Sequence, residues 1–166
     1  MRRPLFFAFL ICAASILTFC EKDDICDANT ATTPRLVIKF FDVNNPSAAK
    51  NVTNLAVIGE DLENPIATFN GNTVEIPLRT DADLTSYRFI LNSTDPNTDN
   101  EDKLTFNYTR QDVFVSRACG YKTLFSLDET APFVYDAVTD GVWIQDITVE
   151  QPSIETEDET HLNIYF

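Results

Sequence analysis

The sequence predicts an all-β fold: an antiparallel β-sandwich of about seven to eight strands with immunoglobulin-like architecture. Three observations predict it. Short runs alternate apolar and polar residues, which turns one face of each run inward. Turn chemistry separates the runs. No window spaces apolar residues at three and four over a helical length. A small closed β-barrel is the alternative.

The alternation begins after Pro34, which marks the start of the folded domain. Leu36, Ile38 and Phe40 share one face, with Lys39 and Phe41 on the other. Leu55 and Val57 follow in a short run ended by Gly59. Val74, Ile76 and Leu78 alternate with Thr73, Glu75 and Pro77, and the proline belongs at an edge or bulge because it cannot donate to a ladder. Tyr87, Phe89 and Leu91 form the next face, then Leu104, Phe106 and Tyr108. Val113 to Phe125 is β-rich, Trp143, Ile147 and Val149 mark a further strand, and Leu162, Ile164 and Phe166 close the chain. Asn44-Asn45-Pro46, Asn70-Gly71-Asn72, Asp95-Pro96-Asn97 and Asp140-Gly141 are the turn signals. The stretch Ile154 to Thr160 is acidic and reads as a loop between the last two strands. Trp143 follows both late cysteines, so the antibody order of Cys, Trp and Cys is absent and "immunoglobulin-like" means architecture only.

The N-terminus has a different character. Arg2 and Arg3 precede an uncharged apolar run from Leu5 to Phe19. That is the layout of a secretory signal, and the run is shorter than the ~20 residues a spanning helix needs. It ends on Cys20, followed at once by Glu21-Lys22-Asp23-Asp24. Leu17-Thr18-Phe19-Cys20 resembles a bacterial lipoprotein signal, with Phe19 standing where Gly, Ala or Ser is usual. The resemblance implies cleavage before Cys20 and lipid on its sulfur. Lys22-Asp23-Asp24 resembles the surface-export signal of Bacteroidetes lipoproteins; a solvated charged tether is the plainer reading. The organisation expected is therefore a signal over 1–19, a lipidated tether over 20–33 and a β-sandwich over 34–166.

Composition narrows the partners. Losing Arg2 and Arg3 with the signal leaves 10 Lys and Arg against 26 Asp and Glu, so the net charge moves from −14 to −16. After Lys122 there is no Lys or Arg. Nucleic acid and anionic headgroups both require clustered cations, so neither a nucleic-acid partner nor direct binding to anionic lipid headgroups is expected. The expected membrane contact is through the N-terminal lipid. With Cys20 taken by lipid, Cys26 and Cys119 remain after cleavage, and an exported chain with two thiols left is a candidate for one disulfide. A nucleophilic Cys119 would need a base, and His161 is the only histidine.

Other constellations are weaker. Asp95, Asn97, Asp99, Glu101 and Asp102 crowd one loop with oxygens at alternate positions, as Ca²⁺ requires. Asn100 and Phe106 stand where an EF-hand needs Gly and Glu, so a polar hairpin tip is the competing reading. His161 lies out of phase with Leu162 and Ile164, which predicts a plain exposed histidine. Phe41 and Phe114 are also out of phase and form either a second packed face or an exposed platform. No catalytic set and no cofactor are expected.

Taken together, Cys20 with Asp24-Ile25-Cys26, Thr33-Pro34-Arg35-Leu36, Phe40-Phe41-Asp42, Pro77-Leu78, Asp83 to Tyr87, Ala118-Cys119-Gly120-Tyr121-Lys122 and the ending His161 to Phe166 resemble an uncharacterised family of Bacteroidetes lipoproteins, common in Flavobacteria. The resemblance implies a lipoprotein of the outer membrane and carries over no catalytic residue. The function expected is a lipid-anchored cell-envelope module that binds or assembles with an envelope protein or glycan and is not an enzyme. The alternatives are a glycan-acting hydrolase using Asp/Glu pairs, and a fimbrial-type subunit that donates or accepts its last strand, Leu162 to Phe166.

Overall fold

A computed structural model describes residues 25–136 and 141–166. These form twelve strands and, among the described residues, no helix. The strands are β1 (Leu36–Asp42), β2 (Asn45–Ala49), β3 (Val52–Gly59), β4 (Ala67–Gly71), β5 (Thr73–Ile76), β6 (Leu84–Leu91), β7 (Asn100–Ser116), β8 (Gly120–Leu127), β9 (Phe133–Asp136), β10 (Asp146–Val149), β11 (Ser153–Ile154) and β12 (Leu162–Tyr165). The count exceeds the seven or eight expected because β2, β4, β9 and β11 are five residues or fewer, too short to register as alternation. Pro77 lies just beyond β5, where its missing N–H costs no ladder bond.

The chain divides into two compact units. The larger holds residues 32–113 and 123–166. The smaller, among the described residues, holds 25–31 and 114–122.

Two open sheets form the sandwich, and neither closes into a barrel. One runs β10-β12-β1-β2, with β5 also on β1; the other runs β11-β8-β7-β6-β3-β4, with β9 also on β7. Pairing is antiparallel except between β1 and β12, which run parallel with Ile38 opposite Leu162 and Phe40 opposite Ile164. β12 is bonded on its other side to β10, so the last strand is internal to its sheet. That placement removes the free strand which donation to another subunit requires.

The core of the larger unit follows from the alternation. Leu36, Ile38 and Phe40 of β1 meet Phe89 of β6 and Leu104 and Phe106 of β7, all fully buried. Trp143 joins the two layers: its ring lies 6.3 Å from Phe40 and 5.4 Å from Phe166, and its Nε1–H donates to the Phe89 carbonyl at 3.1 Å. Burying such aromatics contributes roughly 25 cal/mol for each Å² of apolar surface removed from water. Ile154, expected in a loop, is fully buried in β11, and the acidic loop begins after it.

Candidate functional site

A cleft of about 290 Å³ opens at the start of β6, lined in part by the β3–β4 loop and by Arg79. Leu62, Ile66 and Leu84 give it apolar walls and remain well exposed. Its floor is held by hydroxyls. Tyr87 Oη donates to the Pro77 carbonyl at 2.5 Å. Tyr108 Oη donates to the Arg79 carbonyl at 3.0 Å and lies 2.6 Å from Thr85 Oγ1, which accepts the Arg79 amide at 2.9 Å. Burial, with Tyr108 a smaller contributor, pushes the Tyr87 phenol up to about 12.

Of the acids beside this cleft, Glu60 and Asp81 are engaged. Glu60 is paired with Lys103, and that hydrogen bond holds its carboxyl below the usual range. A glycosidase acid needs the opposite shift. Asp81 pairs with Arg79 at 3.0 Å. A cleft of about 230 Å³ elsewhere holds Glu155 and Glu159, which accept from Ser153 Oγ and Gln151 Nε2.

Of the residues singled out from sequence, Cys20, Lys22, Asp23 and Asp24 lie outside the described residues. Cys26 and Cys119 form a disulfide with their Cα atoms 4.9 Å apart. The acidic loop does not gather. Asp95 Oδ1 accepts from the backbone and side chain of Asn97, which holds the Asp95 carboxyl down, and Glu101 pairs with Arg88 at 3.2 Å. Among the described residues no group of three or more His, Cys, Asp or Glu is placed to hold a metal ion.

Asp102 leaves that cluster altogether. It faces the core in phase with Leu104, Phe106 and Tyr108 and is fully buried. Oδ1 accepts from Tyr135 Oη at 2.6 Å; Oδ2 accepts the amides of Trp143 at 2.9 Å and Ile144 at 2.7 Å. A buried carboxylate is tolerable only when so satisfied. The signal was present in the alternation of β7, where position 102 shares the inward face.

His161 overturns its expected exposure: it is buried, with 1% of its surface accessible. Its Nδ1 accepts the Val37 amide at 2.9 Å. Burial pushes the imidazole down, opposed by Glu159, the Thr156 carbonyl and Glu157. No alternation rule anticipates this, because the residue precedes β12 and its partner is a backbone group 124 positions away.

The two out-of-phase phenylalanines differ. Phe41 is half-buried and stacks on Tyr165 at 5.6 Å, with Lys39 Nζ over its ring. Phe114 is 56% exposed and meets only partly covered company: the ring of Tyr121, itself 69% exposed, at 5.4 Å.

The model of DUF6452, a family of unknown function, matches residues 54–166. The chain belongs to DUF6452. No curated protein and no solved structure matches it. The matched span of this DUF6452 chain begins inside β3 and includes Asp102, Tyr108, Cys119 and His161, while Cys20 and Cys26 precede it. Among the described residues, no helix of this DUF6452 member is long and apolar enough to cross a membrane.

Proposed function

We propose that this protein is a lipid-anchored module of the bacterial cell envelope, of Bacteroidetes lipoprotein type, with a binding or assembly role rather than an enzymatic one. The observation that carries the reading is the junction at Cys20, where an apolar run gives way directly to Glu21-Lys22-Asp23-Asp24. Residues 1–19 are removed, Cys20 takes the acyl chains, and the outer membrane holds the sandwich on its periplasmic or surface face. Several acyl chains are needed for a firm hold, since each buried methylene contributes only ~0.8 kcal/mol. The Cys26–Cys119 disulfide supports export, because such bonds persist in oxidising compartments. The pairing of Glu60 with Lys103, which holds its carboxyl low, and the hydrogen bonds on Glu155 and Glu159 favour binding over glycan hydrolysis. The partner class is an envelope protein or glycan.

Metabolic labelling with an alkyne fatty acid, followed by mass spectrometry of the mature N-terminus, tests the anchor. An acylated Cys20 as residue one is the expected result. A Cys20→Ala chain that is still cleaved and acylated would refute it. Crosslinking in intact cells then tests the role, with one reproducible envelope partner expected.

A further inference from the structure

The smaller unit combines three features that the sandwich core does not explain. Its described residues expose Ile25 at 82%, Phe114 at 56% and Tyr121 at 69%. Among its described residues the charge is reversed relative to the rest of the chain, Arg117 and Lys122 standing against the single acid Asp27, while Glu21, Lys22, Asp23 and Asp24 precede them in the sequence, nearer the anchor. Among the described residues neither Arg117 nor Lys122 enters an ion pair; of the other described cations Arg35, Arg79, Arg88, Lys103 and Arg110 do, and Lys39 and Lys50 lie over the rings of Phe41 and Phe166. Finally, the disulfide fixes the turn carrying these side chains to Cys26, six positions beyond Cys20.

The last feature supplies the occupant. Six residues of fully extended chain reach at most ~20 Å. If Cys20 is in the bilayer, Cys26, and through it Cys119, is confined to a layer about that deep. The side chains on that turn are those the headgroup region accepts. Tyrosine and phenylalanine place an apolar ring at the boundary, with the phenol left in water. The chain as a whole lacks the clustered cations that headgroup binding requires and its acidic remainder is repelled, so only the local pair Arg117 and Lys122, held close by the anchor, is drawn to anionic headgroups. Tethering also makes weak insertion effective, since it replaces a bimolecular encounter by an intramolecular one.

We infer that the turn of residues 114–122, together with Ile25, is a lipid-contact surface that docks into the headgroup layer beside the anchor. Phe114 and Tyr121 enter the interface, and Arg117 and Lys122 meet the phosphates. The inference rests on the anchoring of Cys20 proposed above.

The test uses the acylated mature protein carrying Phe114→Trp, reconstituted in vesicles of phosphatidylethanolamine and phosphatidylglycerol that contain a headgroup-proximal spin-labelled lipid. The exposed ring at 114 tolerates the exchange, and Trp143, buried in the core, is the internal reference. The expected result is a blue shift and loss of emission from the added indole, with the parent protein unquenched. Adding Arg117→Glu and Lys122→Glu should restore emission. Mass spectrometry of the same sample reports acylation separately. An unacylated Cys20 removes the anchoring reading. An acylated protein whose indole at 114 is no more quenched than Trp143 overturns the lipid contact alone and leaves the turn as a face for a protein partner.

Discussion

Val37 and His161 are bonded to each other twice. The His161 amide donates to the Val37 carbonyl at 3.0 Å, and the Val37 amide donates to His161 Nδ1 at 2.9 Å. The pair stands just ahead of Ile38 and Leu162, the first register pair of the parallel ladder, so it fixes where β12 enters its sheet. Only a neutral imidazole can accept at Nδ1.

That requirement makes stability depend on pH. Burial lowers the folded-state pKa of His161, so the unfolded chain binds the proton more readily. The contribution is fully present above the unfolded value of about 6.5 and is lost as pH falls from there through the folded value. Thermal melting between about pH 7 and 5 should show a decline in the parent protein and a flatter profile in His161→Asn, which keeps an acceptor without a titrating proton. Superimposable profiles would exclude His161 as the cause.

Asp102 and Glu101 are neighbours with opposite environments. Asp102 is fully buried and accepts three hydrogen bonds, whereas Glu101 is partly exposed beside Arg88. Asp102→Ala strands two backbone amides and a phenol, and a loss of about 3 kcal/mol or more is expected. Glu101→Ala should cost no more than about 1 kcal/mol. Urea unfolding at neutral pH measures both. Equal losses would show that the Asp102 cage contributes nothing beyond a surface charge.

The sandwich was legible in the sequence because its long strands bury one face only. Tyr87 with Phe89, and Leu104 with Phe106, announce their inward side at every second residue. What escaped was set by partners distant in sequence. The parallel pairing of β1 and β12 joins the two ends of the folded region, and no local pattern encodes it. His161 is polar by phase yet is buried by a bond to Val37. Asp102 is by chemical type one more acid of a loop, but its phase with Leu104 places it inside. The disulfide was legible because the expected signal and anchor account for Cys12 and Cys20 and leave Cys26 and Cys119 as the remaining pair.

The hydroxyl ring at the cleft floor offers a coupling measurement. Tyr108 Oη and Thr85 Oγ1 share a 2.6 Å bond and together hold the amide and carbonyl of Arg79. Tyr108→Phe and Thr85→Val should each cost about 1–2 kcal/mol, and the double variant less than the sum, since the second change removes a bond already broken. Additive losses would mean that the two hydroxyls act independently. Nearby Tyr87 should resist ionisation up to about pH 12 in the folded protein. Its stabilising effect is present below the unfolded value of about 10 and is lost as pH rises through the folded one. Ultraviolet titration of Tyr87→Phe against the parent should remove one phenol that titrates near pH 12.

Cys26 and Cys119 are separated by 93 positions, so their bond closes most of the domain into one loop and leaves β8 to β12 beyond it. On the chain-entropy model a loop of that size removes about 4–5 kcal/mol of denatured-state freedom. The bond nevertheless lies in the smaller unit, where Cys26 itself is exposed. These facts predict different outcomes for Cys26→Ser with Cys119→Ser. If the smaller unit stays folded until the core melts, the urea midpoint falls by the full entropic term. If it opens first, the bond still restrains the unfolded chain, but its residues are already free in the native ensemble. Hydrogen exchange of the amides between Phe114 and Lys122 then rises in the variant, while those of β6 are unchanged relative to global stability. We expect the first outcome, a midpoint shift equivalent to about 4 kcal/mol with one cooperative transition. A shift below about 1 kcal/mol would show that denatured-state structure or native strain cancels the loop term.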